Sequence, residues 1–164
     1  MQAPMERLAI VVCACAFVGA CGAMDPTVKV GPNENVKLDN GVNGSVACDH
    51  GSVNLPSAAT INGDLDLNYC VVKIEGSVNG SITMTGGILY VIEVPSVNGE
   101  LDVTDGYELE VLSSQFNGGA DIENTRQVTI SNSDFNGDVE IHGAQTCLAA
   151  DINANGSVVA ANCN

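Results

Sequence analysis

The sequence predicts an all-β chain wound as a single-stranded parallel β-solenoid of about seven coils. Three observations carry that expectation. An Asn-Gly pair returns at Asn43, Asn62, Asn79, Asn98, Asn117, Asn136 and Asn155, at intervals of 19, 17, 19, 19, 19 and 19 residues. Apolar residues stand three and five places after each Asn, as in Leu65 and Leu67 or Leu101 and Val103. The stretches before each pair, such as "VPS", "SSQ" and "NSD", are corner residues rather than strands.

Each repeat unit divides in chain order. The alternation after Asn-Gly has the period of a half-buried strand. A second apolar pair follows: Val36 and Leu38, Val72 and Ile74, Tyr90 and Ile92, Leu109 and Val111, Val128 and Ile130, Cys147 and Ala149. These residues are expected to face the core from a second strand. A last apolar residue, such as Val78, Val97 or Phe116, immediately precedes each Asn. A meander of hairpins would need strands on both sides of every Asn-Gly, and the upstream side lacks them. In a solenoid the pair recurs because every coil turns the same corner. Glycine suits that corner because positive φ costs it no Cβ clash. The seven asparagines then stand one above another, each able to bond its neighbours through its amide. The alternative is that each Asn bonds its own turn. Such a ladder resembles those of pectate-lyase-type right-handed β-helices, a likeness of architecture that favours a right-handed coil. A coil of 19 residues also departs from the hexapeptide multiples of left-handed solenoids.

Composition narrows the function classes. Five Lys and Arg against 20 Asp and Glu leave a net charge of −15, which excludes nucleic acid as a partner by repulsion. Tryptophan is absent and aromatics are 4%, so the core must be built from aliphatic residues. Residues 1–20 differ in kind from the rest. A short polar start leads to an apolar run, Leu8 to Val18, of signal-peptide length. Val18, Gly19, Ala20 and Cys21 resemble a bacterial lipobox; Glu6 beside Arg7 departs from the basic start usual in such leaders. The resemblance implies cleavage before Cys21, diacylglycerol on its sulfur, and a membrane held as partner through the lipid. An ordinary secretory signal or an uncleaved anchor are the alternatives, and all three place the body outside the cytoplasm. Residues 21–34 then form the acylated cysteine and a tether, and residues 35–164 the solenoid.

Cys48 and Cys70 fall in the first coils, Cys147 and Cys163 in the last. Four body cysteines in an exported chain suggest two disulfides. Each pair is offset by three positions within its coil, so bridging requires the chain to bend there. Otherwise Cys48 and Cys147 are small core residues.

Outward positions carry the charge. Four places after Asn, the row reads Ala47, Asp66, Thr83, Asp102, Asp121, Glu140, Val159. Three successive carboxylates, Asp102, Asp121 and Glu140, either splay into solvent or hold a hard cation such as Ca²⁺. No metal site is assigned beyond these candidates. His50 and His142 fall in distant coils, and no nucleophile elbow, zinc or phosphate-loop motif occurs. Arg126 near Asp121 and Glu123 reads as a surface ion pair. The short even coils and lipobox-like start resemble adhesin-like β-helix lipoproteins of the bacterial envelope. That resemblance implies an exposed scaffold at the outer membrane or cell surface, with an unidentified protein or glycan partner and no catalytic residues or cofactor. A cation- or glycan-binding module along the acidic row and a polysaccharide-active enzyme are the competing readings.

Overall fold

The computed structural model describes residues 27–161 and 163. Within them the chain winds into a three-faced parallel β-solenoid of about seven turns, with no helix. The first face is an eight-stranded sheet: Val28–Val30, Val46–Asp49, Leu65–Asn68, Ile82–Thr85, Leu101–Thr104, Ala120–Glu123, Val139–His142 and Val158–Ala160. The second face stacks Asn35–Lys37, Ser52–Leu55, Val71–Ile74, Ile88–Ile92, Glu108–Leu112 and the starts of Gln127–Phe135 and Thr146–Ala154. The third is narrow. It runs Val42, Ile61, Val78, Val97, Phe116 and Phe135, each paired in parallel with the next. Val28–Val30 lies inside the segment expected to be tether, yet it pairs with Val46–Cys48, so the solenoid starts there.

Sidedness follows from the period of two. On the first face Val46, Leu65, Ile82, Leu101 and Val139 are fully buried in one inner column, and Cys48, Leu67, Met84, Val103, Ile122 and Ile141 fill another. The third face contributes Ile61, Val78 and Val97, then the stacked rings of Phe116 and Phe135, 4.7 Å apart. No coil encloses a core alone; burial comes from stacking, at about 25 cal/mol per Å² of apolar surface.

On the second face one expectation is corrected. Leu89 and Val91 point inward with no exposure, while Tyr90 and Ile92 face outward. The cause is a shift of one residue between corners. Up to Ile88 the second-face strand starts nine residues after Asn; from Glu108 on it starts ten after. The added residue, Tyr107 and then Arg126, is removed again before the third face, so the repeat stays at 19. The tighter early turn is made by Gly86 and Gly87, both at positive φ (67° and 81°). The 17-residue coil drops two residues between Ile74 and Val78. Gly76 is needed there, because a Cβ would lie 2.2 Å from the Ala59 carbonyl oxygen.

The turn from first to second face is a column of left-handed residues: His50, Tyr69, Gly86, Asp105, Asn124 and Gly143, all with φ between 51° and 70°. The Asn-Gly corner works differently from expectation. Among its glycines only Gly44 has positive φ. The others are required by close approach. A Cβ on Gly63, Gly80, Gly99, Gly118, Gly137 or Gly156 would meet backbone of the preceding coil at 2.5–2.9 Å.

Candidate functional site

Asn-Gly corners place the asparagine side chains in a single file. Each Nδ2 donates to the Oδ1 of the preceding rung: Asn62 to Asn43 (2.9 Å), Asn79 to Asn62 (2.6 Å), Asn98 to Asn79 (2.7 Å), Asn117 to Asn98 (2.6 Å) and Asn136 to Asn117 (3.5 Å). Asn155 continues it onto Asn136. The ladder has one polarity from end to end, and its side chains are exposed rather than buried. Water therefore competes for each bond, and the net worth is about 0.5–1.5 kcal/mol per bond. Asn98→Ala removes two bonds and is expected to cost about 1–2 kcal/mol. Thr104→Ala, outward on the neighbouring strand, is expected to stay within about 0.5 kcal/mol. Urea melts of both variants check this.

A second column, two places after Asn, was not legible as a ladder. Its side chains accept backbone N–H groups of the next coil. Ser45 accepts from Asp64 (3.1 Å), Asp64 from Ser81 (3.0 Å), Ser81 from Glu100 (3.2 Å) and Asp138 from Ser157 (2.6 Å). The signal was the alternation of Ser with Asp, both short side chains suited to bonding nearby backbone. The Ser157 backbone and hydroxyl hold the Asp138 carboxyl below its ordinary value. His50 and Asn68 do the same for Asp49. Both contributions are present at neutral pH and are lost on acidification.

The acidic column is in register: Asp102 sits beside Asp121, and Asp121 beside Glu140. Burial, then Glu100 and Asp121, raise the Asp102 carboxyl above its ordinary value. A raised carboxyl contributes stability only where it is protonated, and loses it as pH rises through the raised value. At neutral pH ionised Asp102 therefore opposes folding. Asp102→Asn is expected to add about 0.5–1 kcal/mol near pH 7, after solvent screening, and nothing near pH 3. Thermal melts at the two pH values read the difference. Among the described residues no group of three or more His, Cys, Asp or Glu side chains converges as metal ligands.

Other candidate residues are dispersed. His50 bonds Asp49 (2.7 Å) and stacks on Tyr69, with ring centroids 5.2 Å apart. His142 lies 3.4 Å from Glu140. Both histidines are exposed. Arg126 departs from the expected ion pair: its guanidinium lies 5.0 Å over the Tyr107 ring. These two are the residues added at successive corners, so they stack as neighbours. Ion pairs form instead at Lys37–Asp39 and Lys73–Glu75.

Disulfides join Cys48 to Cys70 and Cys147 to Cys163, with Cα separations of 6.3 and 4.4 Å. The first bridges a first-face strand to the turn after left-handed Tyr69, where the chain bends back. The second ties the last first-face strand's continuation to the second face. Cys21 lies outside the described residues, as does the leader.

Fold and columns together define a parallel β-solenoid whose exterior presents repeated side chains at single-coil spacing. Comparison with protein-family models, with curated proteins and with solved structures gave no match.

Proposed function

We propose that this chain is a lipid-anchored, non-catalytic envelope rod, carried on the Cys21 acyl group and used as a structural, adhesive or partner-binding scaffold. The observation that carries this reading is the register of the outer columns. The column containing Asp66, Asp102, Asp121 and Glu140 presents polar side chains coil after coil on a rigid face. Two disulfides stapling opposite ends of the stack suit an oxidising compartment outside the cytoplasm. A net charge of −15 suits a soluble, extended exterior held off anionic lipid by repulsion.

The address is tested by labelling cells with a palmitate analogue. Wild-type protein is expected to take the label and sediment with membranes, and Cys21→Ala to lose both. External protease should cleave the wild-type body. A label that survives in Cys21→Ala overturns the anchor.

A second reading, a divalent cation or glycan along the acidic face, has one observation in its favour. The Asp102 carboxyl is raised partly by Glu100 and Asp121, and a bound cation would relieve that repulsion. Calcium at millimolar concentration that raises the melting temperature of wild type, but not of Asp121→Asn, would favour it. Identical melts with and without calcium would end it.

A further inference from the structure

Asn-Gly is the dipeptide most open to deamidation, since glycine offers the least steric hindrance to attack on the side chain. The ladder repeats it seven times, but an eighth copy, Asn40-Gly41, stands outside the ladder. Asn40 lies in the turn between Leu38, whose N–H donates to the Asn54 carbonyl, and Val42, which pairs with Ile61; the ladder bonds begin only at Asn43. Asn40 is exposed, at the third position of a turn closed by Gly41 N–H donating to the Leu38 carbonyl (3.2 Å). By contrast Asn62, Asn79, Asn98 and Asn117 each donate one amide bond and accept another.

We propose that Asn40 is a site of spontaneous deamidation, and that the ladder shields the Asn-Gly pairs in its interior, from Asn62 to Asn136. The Gly41 backbone nitrogen attacks Asn40 Cγ and loses its proton to solvent. The new N–Cγ bond closes a succinimide, the Cγ–Nδ2 bond breaks, and ammonia leaves. Water then opens the ring at either carbonyl, giving aspartate or isoaspartate. No oxidant or reductant is involved. At Asn62, Asn79, Asn98, Asn117 and Asn136 the same attack must first break a donated and an accepted bond. Backbone bonding alone does not set the difference: Gly99 N–H is also engaged, to the Gly80 carbonyl at 3.0 Å.

The product matters because of what surrounds it. Gly41 has φ 72° and packs against Thr60, so tightly that a Cβ would lie 2.3 Å from the Thr60 carbonyl oxygen. An isoaspartate adds one methylene to the backbone immediately before that contact. It therefore disturbs the following Val42, whose N–H donates to the Thr60 carbonyl (2.8 Å).

The test ages folded, oxidised protein in mildly alkaline buffer and maps peptides by mass, with isoaspartate scored enzymatically. Asn40 is expected to convert at least about tenfold faster than Asn98 or Asn117, the bonds to be broken setting the ratio. In reduced, denatured protein the two rates should converge. Asn40→Gln should remove the fast phase and leave ladder conversion unchanged. Equal rates in the folded protein overturn the proposal. So does a rate ratio that persists after unfolding, since it would then reside in local sequence rather than in the ladder.

Discussion

Removing the Cys48–Cys70 bridge is expected to lower the melting temperature by roughly 5–15 °C. The bridge closes a loop of 22 residues, which in the chain-entropy account contributes about 3 kcal/mol. Both cysteines are buried, so Cys48→Ala with Cys70→Ala also leaves a gap between the first and second coils. The Cys147–Cys163 bridge has a similar separation of 16 residues but a different setting. It closes the terminal coil, where Val158 is 47% exposed although its counterpart Val139 is fully buried. In a linear stack a terminal unit opens without unfolding its neighbours. Its removal should therefore appear as local fraying, read by amide exchange, more than as a shift of the main transition. Calorimetry of the two double variants separates these outcomes.

Gly99→Ala is the second large effect. A methyl there would sit 2.5 Å from the Ser81 backbone nitrogen and 2.6 Å from its Cα. Neither is the end of a flexible side chain, so the two coils must part. Parting weakens the Gly99 N–H to Gly80 bond and the Asn98–Asn79 rung together. The expected cost is about 2–4 kcal/mol, above the usual range for overpacking because bonds are lost as well. Gly31→Ala is the control. The nearest atom there is a Glu34 carboxylate oxygen at 3.6 Å, so a change within about 0.5 kcal/mol is expected. Urea titration of both variants decides the matter. If Gly99→Ala matches Gly31→Ala, coils are not held at backbone contact.

Much of this was legible in the sequence because a solenoid writes its fold as a period. The recurrence of Asn-Gly located the stacked corner, and alternation after it located the first-face core, from Val46 and Cys48 to Val139 and Ile141. The single file of amides followed from the same spacing. What the period hid was compensation within it. An interval of 19 residues is the same whether the extra residue stands before the second-face strand or after it, so Tyr90 and Ile92 were expected inside in place of Leu89 and Val91. Gly86-Gly87 was the available sign, being a pair that permits a tighter bend. The reason for the corner glycines is hidden in the same way. Local conformation suggested positive φ, whereas close packing between coils, invisible along one chain segment, is what excludes a side chain.

Side-chain partners were less legible than positions. Arg126 has carboxylates nearby in sequence, yet its stacked neighbour across the coil is Tyr107, and the ring wins. The acceptor role of the Ser and Asp column needs the N–H of the following coil, 17 or 19 residues away, so no local stretch of sequence displays it. Function lies further still from the sequence.

Distances along one outer column test the central claim most directly. Ala47, Asp66, Thr83, Asp102, Asp121, Glu140 and Val159 occupy successive coils of the first face in strict register. Spin labels placed in pairs at Asp66 and Glu140, Ala47 and Glu140, and Ala47 and Val159 span four, five and six coils. At about 4.8 Å per parallel strand, the mean separations should be near 19, 24 and 29 Å and should rise linearly. Separations that fail to grow with the number of coils, or that alternate between short and long, would contradict a stack of like turns and favour strands running in opposite directions.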